Sequence, residues 1–395
     1  MEYKFSKKLS DLKPSAIREI FKSLTDPEII SFAAGNPSPQ SFPVSELAAI
    51  SADIFANSST TALQYSITEG YPPLREAIAK RQKQKFGIGA EDDTVLVVSG
   101  GQQGIELAAK VFCNEGDTVI CENPSFIGSL NSFRSNGINV VGVELEYNGI
   151  NTQKLELALK ENKNVKLLYV IPTFQNPAGI TTSFEKRREI LRLARKYDIV
   201  IVEDNPYGEL RFRGEDAPTL KSMDDEGRVI YCSSFSKILS AGMRVGFVVA
   251  NETIVSKMAV GKQGEDVHTN IFFQMLCHRY MTECDIDAHI KDINDLYRHK
   301  CDLMLECIDK YVPSDKITFT RPEGGLFIWG TVKECDDASP IVKKLLEKKV
   351  AVVPGSAFNC DTTAPSSCFR LNYSTPSDEQ IVEGIKRIGE VFAEL

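Results

Sequence analysis

The sequence has few of the features that mark exported, metal-binding or membrane-spanning proteins. Its 395 residues contain only four histidines, and no two of its ten cysteines are spaced C-x-x-C. No apolar run approaches the roughly 18 residues that a membrane-spanning helix needs, and no apolar stretch follows the basic residues near the start. We therefore expect no metal site, reduced and mostly packed thiols, no membrane association, and a soluble protein of the cytoplasm.

An excess of positive charge is also missing. The 46 Lys and Arg residues against 54 Asp and Glu residues give a formal net charge of −8. Such a chain has no general attraction for nucleic acid, so we expect no nucleic-acid partner. The hydrophobic share of 42% and the charged share of 25% are those of a globular protein that folds by itself, and the length suffices for two or three domains.

Between about residues 94 and 250, short β-rich segments alternate with helical segments. The segments are apolar at successive positions, which is typical of strands buried on both faces of a mostly parallel sheet. Residues 183–198 are predicted to form one of the covering helices, and the spacing of Thr182 and Glu185 predicts a capping box at its start. Ligands of such sheets bind at the carboxyl ends of the strands. The predicted strands lie within residues 94–100, 117–125, 138–146, 165–173, 199–205, 228–236 and 244–250.

The pattern changes after about residue 290, where a smaller α+β domain is predicted. Its elements are a hairpin, a helix, two strands, and a final helix that Ser377 and Gln380 are spaced to cap. We expect three parts in all. These are an N-terminal segment (1–50) lying across the domain cleft, a large domain (51–290) and a small domain (291–395).

Glycine and amide side chains follow two of the predicted strands. Gly101 and Gln102 lie at a strand-to-helix turn, where free backbone amides and the helix dipole would bind a dianion. Asn176 follows another strand in the loop TFQNPAG. Taken alone, both features have ordinary explanations, because glycine is common in turns and Asn-Pro forms them.

An anion and a phenol share one short loop after the strand predicted at 199–205. Asp204 and Tyr207 flank Pro206, which breaks any helix and fixes the turn. An acidic residue at a strand end is commonly just solvated. The adjacent phenol is what makes the loop a candidate for a site.

Two hydroxyls, an ammonium group and a guanidinium group occur within eleven residues at the end of the strand predicted at 228–236. Serines and lysines in turns are ordinarily surface residues. The cluster would alternatively surround a phosphate, or its lysine would be a reactive amine. The residues are Ser234, Ser236, Lys237 and Arg244.

Seven segments occur together and in order: LQYSITEGYPPLREAIA, SGGQQGIEL, PTFQNPAGI, VEDNPYGELRF, SSFSKILSAGMRVGF, RPEGGLFIW and CFRLNYS. They resemble the motifs of class I pyridoxal-phosphate-dependent aminotransferases of fold type I. The sequence is most similar to the branch that holds 2-aminoadipate and kynurenine aminotransferases, from about Ser15 to the C-terminus. The resemblance implies an α/β fold. Its large domain would contain a mostly parallel seven-stranded sheet between helices, beside the smaller α+β domain.

The same resemblance implies roles in binding the cofactor, pyridoxal 5′-phosphate. Lys237 would bind its aldehyde covalently, and Asp204 would face the pyridine nitrogen and keep it protonated. Tyr207 and Asn176 would hydrogen-bond its phenolate oxygen. Its phosphate would be bound by Ser234, Ser236, Arg244 and the backbone around Gly101 and Gln102.

Two aromatic residues complete the implied cofactor site. Phe126 would stack on the ring, at a position where the nearest relatives tend to carry Tyr, so a hydroxyl is missing here. Tyr65 would reach the phosphate bound by the other subunit. The resemblance therefore implies a homodimer with shared active sites.

The implied substrates are an L-amino acid and a 2-oxo acid, with 2-oxoglutarate as the expected acceptor. Arg370 would bind the α-carboxylate through two parallel hydrogen bonds, assisted by Gly35 and Asn176. Arg18 matches a position where relatives acting on dicarboxylic substrates place an arginine, but a solvated helix arginine explains it equally well. 2-Aminoadipate, glutamate, aromatic and branched-chain donors all stay open.

Two other functions compete with transamination. A β-lyase or another eliminating enzyme would share Lys237, Asp204 and Tyr207, which are common to the whole fold type. The effector-sensing domain of a transcription regulator would also share them, but it would need a DNA-binding domain upstream. The acidic chain and the early start of the motifs favour the aminotransferase.

Overall fold

The computed structural model of this chain describes residues 3–10 and 26–395. Arg18 and the residues around it lie outside the described residues. The helices are α1 (Lys7–Ser10), α2 (Val44–Asn57), α3 (Ser59–Leu63), α4 (Pro72–Phe86), α5 (Gly101–Phe112), α6 (Ile127–Ser135), α7 (Thr152–Glu161), α8 (Phe184–Lys196), α9 (Glu252–Gln263), α10 (Ile271–Glu283), α11 (Ile286–Tyr311), α12 (Ser339–Glu347) and α13 (Asp378–Ala393). The strands are β1 (Ile30–Ser31), β2 (Asp93–Val98), β3 (Thr118–Asn123), β4 (Asn139–Glu146), β5 (Gly149–Ile150), β6 (Val165–Val170), β7 (Val200–Asp204), β8 (Val229–Ser234), β9 (Gly246–Asn251), β10 (Ile317–Phe319), β11 (Phe327–Val332), β12 (Val350–Ala351), β13 (Val353–Pro354) and β14 (Cys368–Asn372).

The large sheet has the strand order β2-β9-β8-β7-β6-β3-β4-β5. Its strands run parallel except β9, which is antiparallel to both neighbours, and β5, which is antiparallel to β4. All seven predicted strands are present. The two-residue β5 is an eighth strand that the sequence did not predict, because Gly149 and Ile150 are too short a segment to show a strand pattern.

Helices cover both faces of this sheet, as the continuous apolar character of the strands predicts. Alternate strand residues point to opposite faces, so Val119 and Leu167 pack on the side of α5, α6 and α9, while Ile120 and Leu168 pack on the side of α7 and α8. All four side chains are fully buried. The sheet is therefore the rigid centre from whose carboxyl edge functional side chains project.

The start of α8 corrects one prediction. The side chain of Ser183, not Thr182, caps the helix by accepting a hydrogen bond from the backbone N–H of Lys186. The backbone N–H of Thr182 donates to the carbonyl of Pro172 at 2.8 Å, which holds Thr182 in the preceding loop. The cap thus lies one residue later than the spacing indicated.

The second sheet is antiparallel, with the order β10-β11-β14-β13. Helices α11 and α13 share its hydrophobic core through residues such as Leu371, Ile385 and Met304. The predicted cap of α13 is confirmed, since Ser377 and Gln380 form a capping box. The described part of the N-terminal segment adds β1, which pairs in parallel with β12, and residue Phe32 also accepts a hydrogen bond from the backbone of Asn372.

The division into residues 1–50, 51–290 and 291–395 stays a prediction. Helix α11 runs across its second boundary without interruption. Within the described residues, no helix combines the length and apolar character needed to cross a membrane. Those residues also contain no group of three or more His, Cys, Asp or Glu side chains that could hold a metal ion.

Candidate active site

The predicted site residues converge at the carboxyl edge of the large sheet. Asp204 is the last residue of β7, and its register partner on β8 is Cys232, two residues before Ser234 at the end of that strand. Helix α5 begins at Gly101, after β2. Strand order thus brings together residues that lie up to about 140 positions apart in the sequence, as the binding rule for parallel sheets predicts.

Lys237 lies in a turn after β8 and is largely buried. Its Nζ donates a hydrogen bond to the carbonyl of Gly35 at 2.7 Å and lies 6.0 Å from the centre of the Tyr207 ring. Burial lowers the pKa of Lys237 to about 8, with smaller contributions from the positive charges of Arg370 and Arg244. The neutral amine is therefore accessible near neutral pH, which nucleophilic attack on a carbonyl requires.

Asp204 is only 5% exposed and has a phenol as its hydrogen-bond donor. The hydroxyl of Tyr169 donates to Asp204 Oδ2 at 2.6 Å, and Ser129 Oγ in turn donates to the Tyr169 hydroxyl at 2.8 Å. Burial raises the pKa of Asp204 to about 6, while the Tyr169 hydrogen bond lowers it. A cationic partner would stabilise this buried carboxylate.

Arg370, in the middle of β14, is 2% exposed and points into the same cleft. Its Nη1 donates to Asn176 Oδ1 at 2.9 Å, and its Nη2 donates to the carbonyl of Ala33 at 2.8 Å. Its Nε has no hydrogen-bond partner, and burial lowers its pKa to about 10. The guanidinium also lies over the ring of Phe327, with 4.3 Å between its Cζ and the ring centre.

Tyr207 and Gly35 adjoin this arginine. Tyr207 is 4% exposed and hydrogen-bonds with Asn176; burial, reinforced by the negative charge of Asp204, raises its pKa. A Cβ atom added to Gly35 would lie 3.9 Å from Arg370 Nη2. Tyr207 is thus near both Lys237, whose Nζ lies 6.0 Å from the centre of its ring, and Asp204, whose charge raises its pKa.

The predicted anion-binding groups also meet. Ser234 Oγ donates to Ser236 Oγ at 2.7 Å, and a Cβ atom added to Gly101 would lie 4.0 Å from Ser234 Cβ. Gly100, with a φ of +84°, has no room for a side chain, since a Cβ atom there would collide with the guanidinium of Arg244. The first amides of α5, two hydroxyls and one guanidinium thus surround one position.

Phe126 and Gln102 lie beside this position. Gln102 Nε2 donates to the carbonyl of Gly128 at 3.0 Å. A Cβ atom added to Gly128 would lie 2.6 Å from the Phe126 ring and 2.5 Å from Gln102 Oε1. The ring of Phe126 is therefore held next to the anion-binding turn.

One predicted residue is not brought to the site within this chain. Tyr65 is 81% exposed, and its nearest aromatic neighbour is His268, with 5.9 Å between the ring centres. Arg18 lies outside the described residues.

Sequence reasoning missed several buried residues behind the site. Tyr169 and Ser129 hold Asp204, while Gln175 Nε2 donates to the carbonyl of Pro124 at 2.8 Å and fixes the loop that carries Asn176. Glu122 accepts a hydrogen bond from Gln175, and burial raises its pKa to about 7. Tyr169 lies within an apolar strand, so its sequence context indicates an ordinary core residue. Only the pairing of β6 with β7 places it beside Asp204.

Comparisons with known proteins agree on one family. The sequence matches the family described as aminotransferase class I and II over residues 27–388. It is 39% identical over 394 residues to aromatic-amino-acid aminotransferase 1 of Thermococcus litoralis, which covers 99% of this chain and 94% of that protein. It is 37% identical over 391 residues to the 2-aminoadipate transaminase of Thermus thermophilus, which covers 98% of this chain and 96% of that protein.

A solved structure gives the same result. The crystal structure of Pyrococcus horikoshii kynurenine aminotransferase in complex with PMP has a TM-score of 0.95 to this chain at 38% identity. The match covers 99% of this chain and 97% of that one, which confirms the predicted fold type. The chain therefore belongs to the class I and II aminotransferases, enzymes that depend on pyridoxal 5′-phosphate.

Proposed function

We propose that this aminotransferase binds pyridoxal 5′-phosphate between Lys237 and Asp204 and uses it to move the amino group of an L-amino acid to a 2-oxo acid. One observation carries the assignment. A buried lysine with a lowered pKa and a buried carboxylate lie around Tyr207, beside an anion-binding turn. This charge pattern fits an aldehyde at one end of a heterocycle and a ring nitrogen at the other.

The polar groups of the cleft fit the remaining parts of the cofactor. The side chains of Tyr207 and Asn176 would bind the phenolate oxygen, and the ring of Phe126 would stack on the heterocycle. The position between the start of α5 and the Ser234–Ser236 pair suits a phosphate, because Gly100 leaves space there for the guanidinium of Arg244. The phosphate would be held by Gly101, Gln102, Ser234, Ser236 and Arg244.

Lys237 would carry the proton of the reaction. When bound, pyridoxal phosphate supplies an electron-withdrawing ring that stabilises the negative charge left on the substrate Cα. The amine of Lys237 would remove the proton from Cα and return it to C4′ of the cofactor. A pKa of about 8 lets it act as both base and acid near neutral pH.

Asp204 would keep the ring nitrogen protonated. Burial makes the ionised form of Asp204 energetically costly, so a positively charged partner stabilises it strongly. The protonated ring nitrogen would be such a partner. A neutral residue at position 204 should therefore reduce the rate more than it reduces cofactor binding.

Arg370 would bind the substrate α-carboxylate. Its guanidinium is buried, its Nε is unpartnered, and no acidic side chain among the described residues forms an ion pair with it. A carboxylate would satisfy both its charge and its free donor. The Asn176 and Ala33 hydrogen bonds fix the plane of the guanidinium, and Gly35 lies beside it.

The donor class proposed here is 2-aminoadipate, an aromatic amino acid such as kynurenine, or a branched-chain amino acid, with 2-oxoglutarate as the acceptor. The aromatic and 2-aminoadipate donors are supported by the named activities of the similar proteins from Thermococcus litoralis, Thermus thermophilus and Pyrococcus horikoshii, whereas the branched-chain donor rests on the sequence resemblance alone. Arg18 stays a candidate for binding a distal carboxylate. The cytoplasmic location stays a prediction from the sequence.

We also propose a homodimer with shared sites. Tyr65 is one of several exposed apolar side chains in this stretch of the sequence, with Phe55, Leu63 and Ile67. Apolar side chains exposed together mark protein interfaces. Light scattering of the purified protein at micromolar concentration should give twice the chain mass, and Tyr65→Ala should weaken pyridoxal-phosphate binding. A monomer with full activity would contradict this proposal.

The reaction is tested by mixing the purified holoenzyme with single amino acids. Transamination converts the cofactor to its pyridoxamine form, which is followed by absorbance, and releases the corresponding 2-oxo acid. Adding 2-oxoglutarate should restore the aldehyde form and yield glutamate. Release of pyruvate and ammonia from a β-substituted amino acid, without the pyridoxamine form, would instead indicate the eliminating reaction.

A further inference from the structure

Two buried hydroxyl groups lie behind Asp204 and have no part in the mechanism described so far. Tyr169 belongs to β6 and Ser129 to α6, and both residues are fully buried. The Tyr169 hydroxyl lies 2.6 Å from Asp204 Oδ2, and Ser129 Oγ lies 2.8 Å from the same hydroxyl. The three side chains thus form one chain of hydrogen bonds that leads from the interior to the carboxylate.

The order of donors in this chain favours one charge state. A phenol has a single proton, and Ser129 donates to the phenol oxygen, so the phenol proton is left to point at Asp204. An ionised carboxylate accepts a hydrogen bond from that O–H group. A carboxyl group protonated at Oδ2 would instead place its own hydrogen against the phenol hydrogen. Hydrogen bonding to the charged form favours it. The geometry therefore opposes protonation of Asp204.

The other titratable groups around Asp204 do not supply this stabilisation. They are Glu122 on β3, Cys232 on β8 and Tyr207 in the loop after β7; burial, together with the negative charge of Asp204, raises the pKa of each. Among the described residues, Tyr169 is the side chain that donates a hydrogen bond to Asp204. Burial raises the pKa of Asp204 to about 6, and the Tyr169 hydrogen bond acts against that rise.

We propose that Tyr169, oriented by Ser129, is a positioning residue that keeps Asp204 ionised and thereby keeps the ring nitrogen of the bound cofactor protonated. The proposal rests on the proposed function, which places Asp204 at that nitrogen. It adds two residues that act through Asp204 and do not touch the cofactor themselves.

Substitution by Phe separates the hydroxyl from the packing role of Tyr169. The ring packs edge-on against Phe133, with 5.6 Å between ring centres, and Tyr169→Phe keeps that contact. Tyr231→Phe is a matched control. Tyr231 is 1% exposed on strand β8, which pairs with the other edge of β7, and its hydroxyl accepts a hydrogen bond from Asn205 and none is formed with Asp204.

The test is ¹⁵N NMR of the protein reconstituted with pyridoxal phosphate labelled at the ring nitrogen, recorded from pH 6 to 9. The wild-type nitrogen should resonate as a protonated pyridine. Tyr169→Phe should raise the pKa of Asp204 by about one unit, so that the proton shifts about tenfold towards the carboxylate and the resonance moves towards that of a neutral pyridine. Ser129→Ala should shift the resonance the same way by a smaller amount, and Tyr231→Phe should leave it in place.

Each outcome separates this inference from the proposed function. If Asp204→Asn shifts the resonance but Tyr169→Phe and Tyr231→Phe both leave it unchanged, the role of Tyr169 is wrong while the function stands. If Asp204→Asn also leaves it unchanged, the placement of Asp204 at the nitrogen is wrong. If Tyr169→Phe does not fold, Ser129→Ala tests the proposal instead. An unshifted resonance in Ser129→Ala would contradict the orienting role of Ser129.

Discussion

Two groups of buried charges adjoin the large sheet, and they differ in how completely their hydrogen-bonding groups are paired within the protein. The first group surrounds Arg187 of α8, which is fully buried. Its guanidinium donates to the carbonyls of Thr182, Pro172 and Pro218 at 2.7–3.1 Å, and its Nη1 lies 4.0 Å from Glu203 Oε1. The second group is the candidate site, where Arg370 makes two such bonds and leaves Nε unpartnered.

The neighbouring residues Glu203 and Asp204 show the same contrast. Glu203 accepts hydrogen bonds from the backbone N–H groups of Leu220 and Lys221, at 3.0 and 2.8 Å. Asp204 points to the opposite face of the sheet and accepts one hydrogen bond, from Tyr169. Burial raises the pKa of both carboxylates. Burial of charge therefore does not distinguish a site; an incomplete set of partners does.

The largest expected effect is at Lys237. Lys237→Ala should reduce transamination by about 10⁴-fold or more, because the variant lacks the proposed nucleophile and proton carrier. Steady-state assays with any accepted donor measure the loss, and circular dichroism checks the fold. Lys221→Met is a control at another buried lysine, whose Nζ lies 2.7 Å from Asp93 Oδ1; it should retain covalent cofactor binding. If Lys237→Ala had activity close to that of the wild type, Lys237 would not be part of the active site. The contrast between the two groups of buried charges would then have no functional meaning.

The satisfied group should matter for stability. Arg187→Met should lower the free energy of unfolding by about 3–5 kcal/mol, because it leaves Glu203 as an unpaired buried carboxylate. Urea denaturation of the apoenzyme measures the change. Arg192→Met on the same helix, where Arg192 is exposed and pairs with Glu189, should cost less than about 1 kcal/mol. Equal losses of unfolding free energy in Arg187→Met and Arg192→Met would contradict a special stabilising role for the buried Arg187.

In contrast to Arg187→Met, Arg370→Ala should lower activity and leave stability nearly unchanged. We expect kcat/KM for the amino acid to fall by about 10²–10³-fold, since the α-carboxylate loses its charged partner. Cofactor affinity and urea stability should change little. The exposed Arg321, replaced by Ala, serves as the control. Unchanged saturation by the amino acid in Arg370→Ala would argue against its role.

A smaller effect concerns the pH dependence of apoenzyme stability. The pKa of Lys237 is about 8 in the folded protein and about 10.5 when unfolded, so the unfolded state binds more protons between these values. The wild-type apoenzyme therefore gains stability from this group as pH rises from 8 to 10.5, and carries its full cost below pH 8. Lys237→Met should be more stable by about 3 kcal/mol at pH 7, with the advantage vanishing above about pH 10.

Urea denaturation at a series of pH values checks this prediction. Lys257→Met, at an exposed position on α9, should show no pH-dependent gain. A pH-independent difference between Lys237→Met and the wild type would mean that Lys237 is not held at a lowered pKa.

The strand–helix alternation predicted the large sheet well because its signals are local. Apolar runs mark β6 and β7, and each side chain that follows a strand is placed at the same edge by the parallel arrangement. Short strands and helix caps were harder to predict from the sequence. The strand β5 depends on pairing with β4, and the cap by Ser183 depends on the bond of Thr182 to the Pro172 carbonyl; neither contact shows in the periodicity of the segment itself.

The sequence by itself determined the family and the main candidate site residues, because Lys237, Asp204 and Arg370 each lie in a motif whose local pattern can be recognised along the chain. Only the tertiary structure decided which partners these residues have. The hydrogen bonds of Arg370 to Asn176 and to Ala33 span 194 and 337 positions, and the link from Tyr169 to Asp204 depends on the pairing of β6 with β7. Periodicity and turn chemistry act over a few residues, whereas burial and the supply of hydrogen-bond partners depend on how distant segments pack.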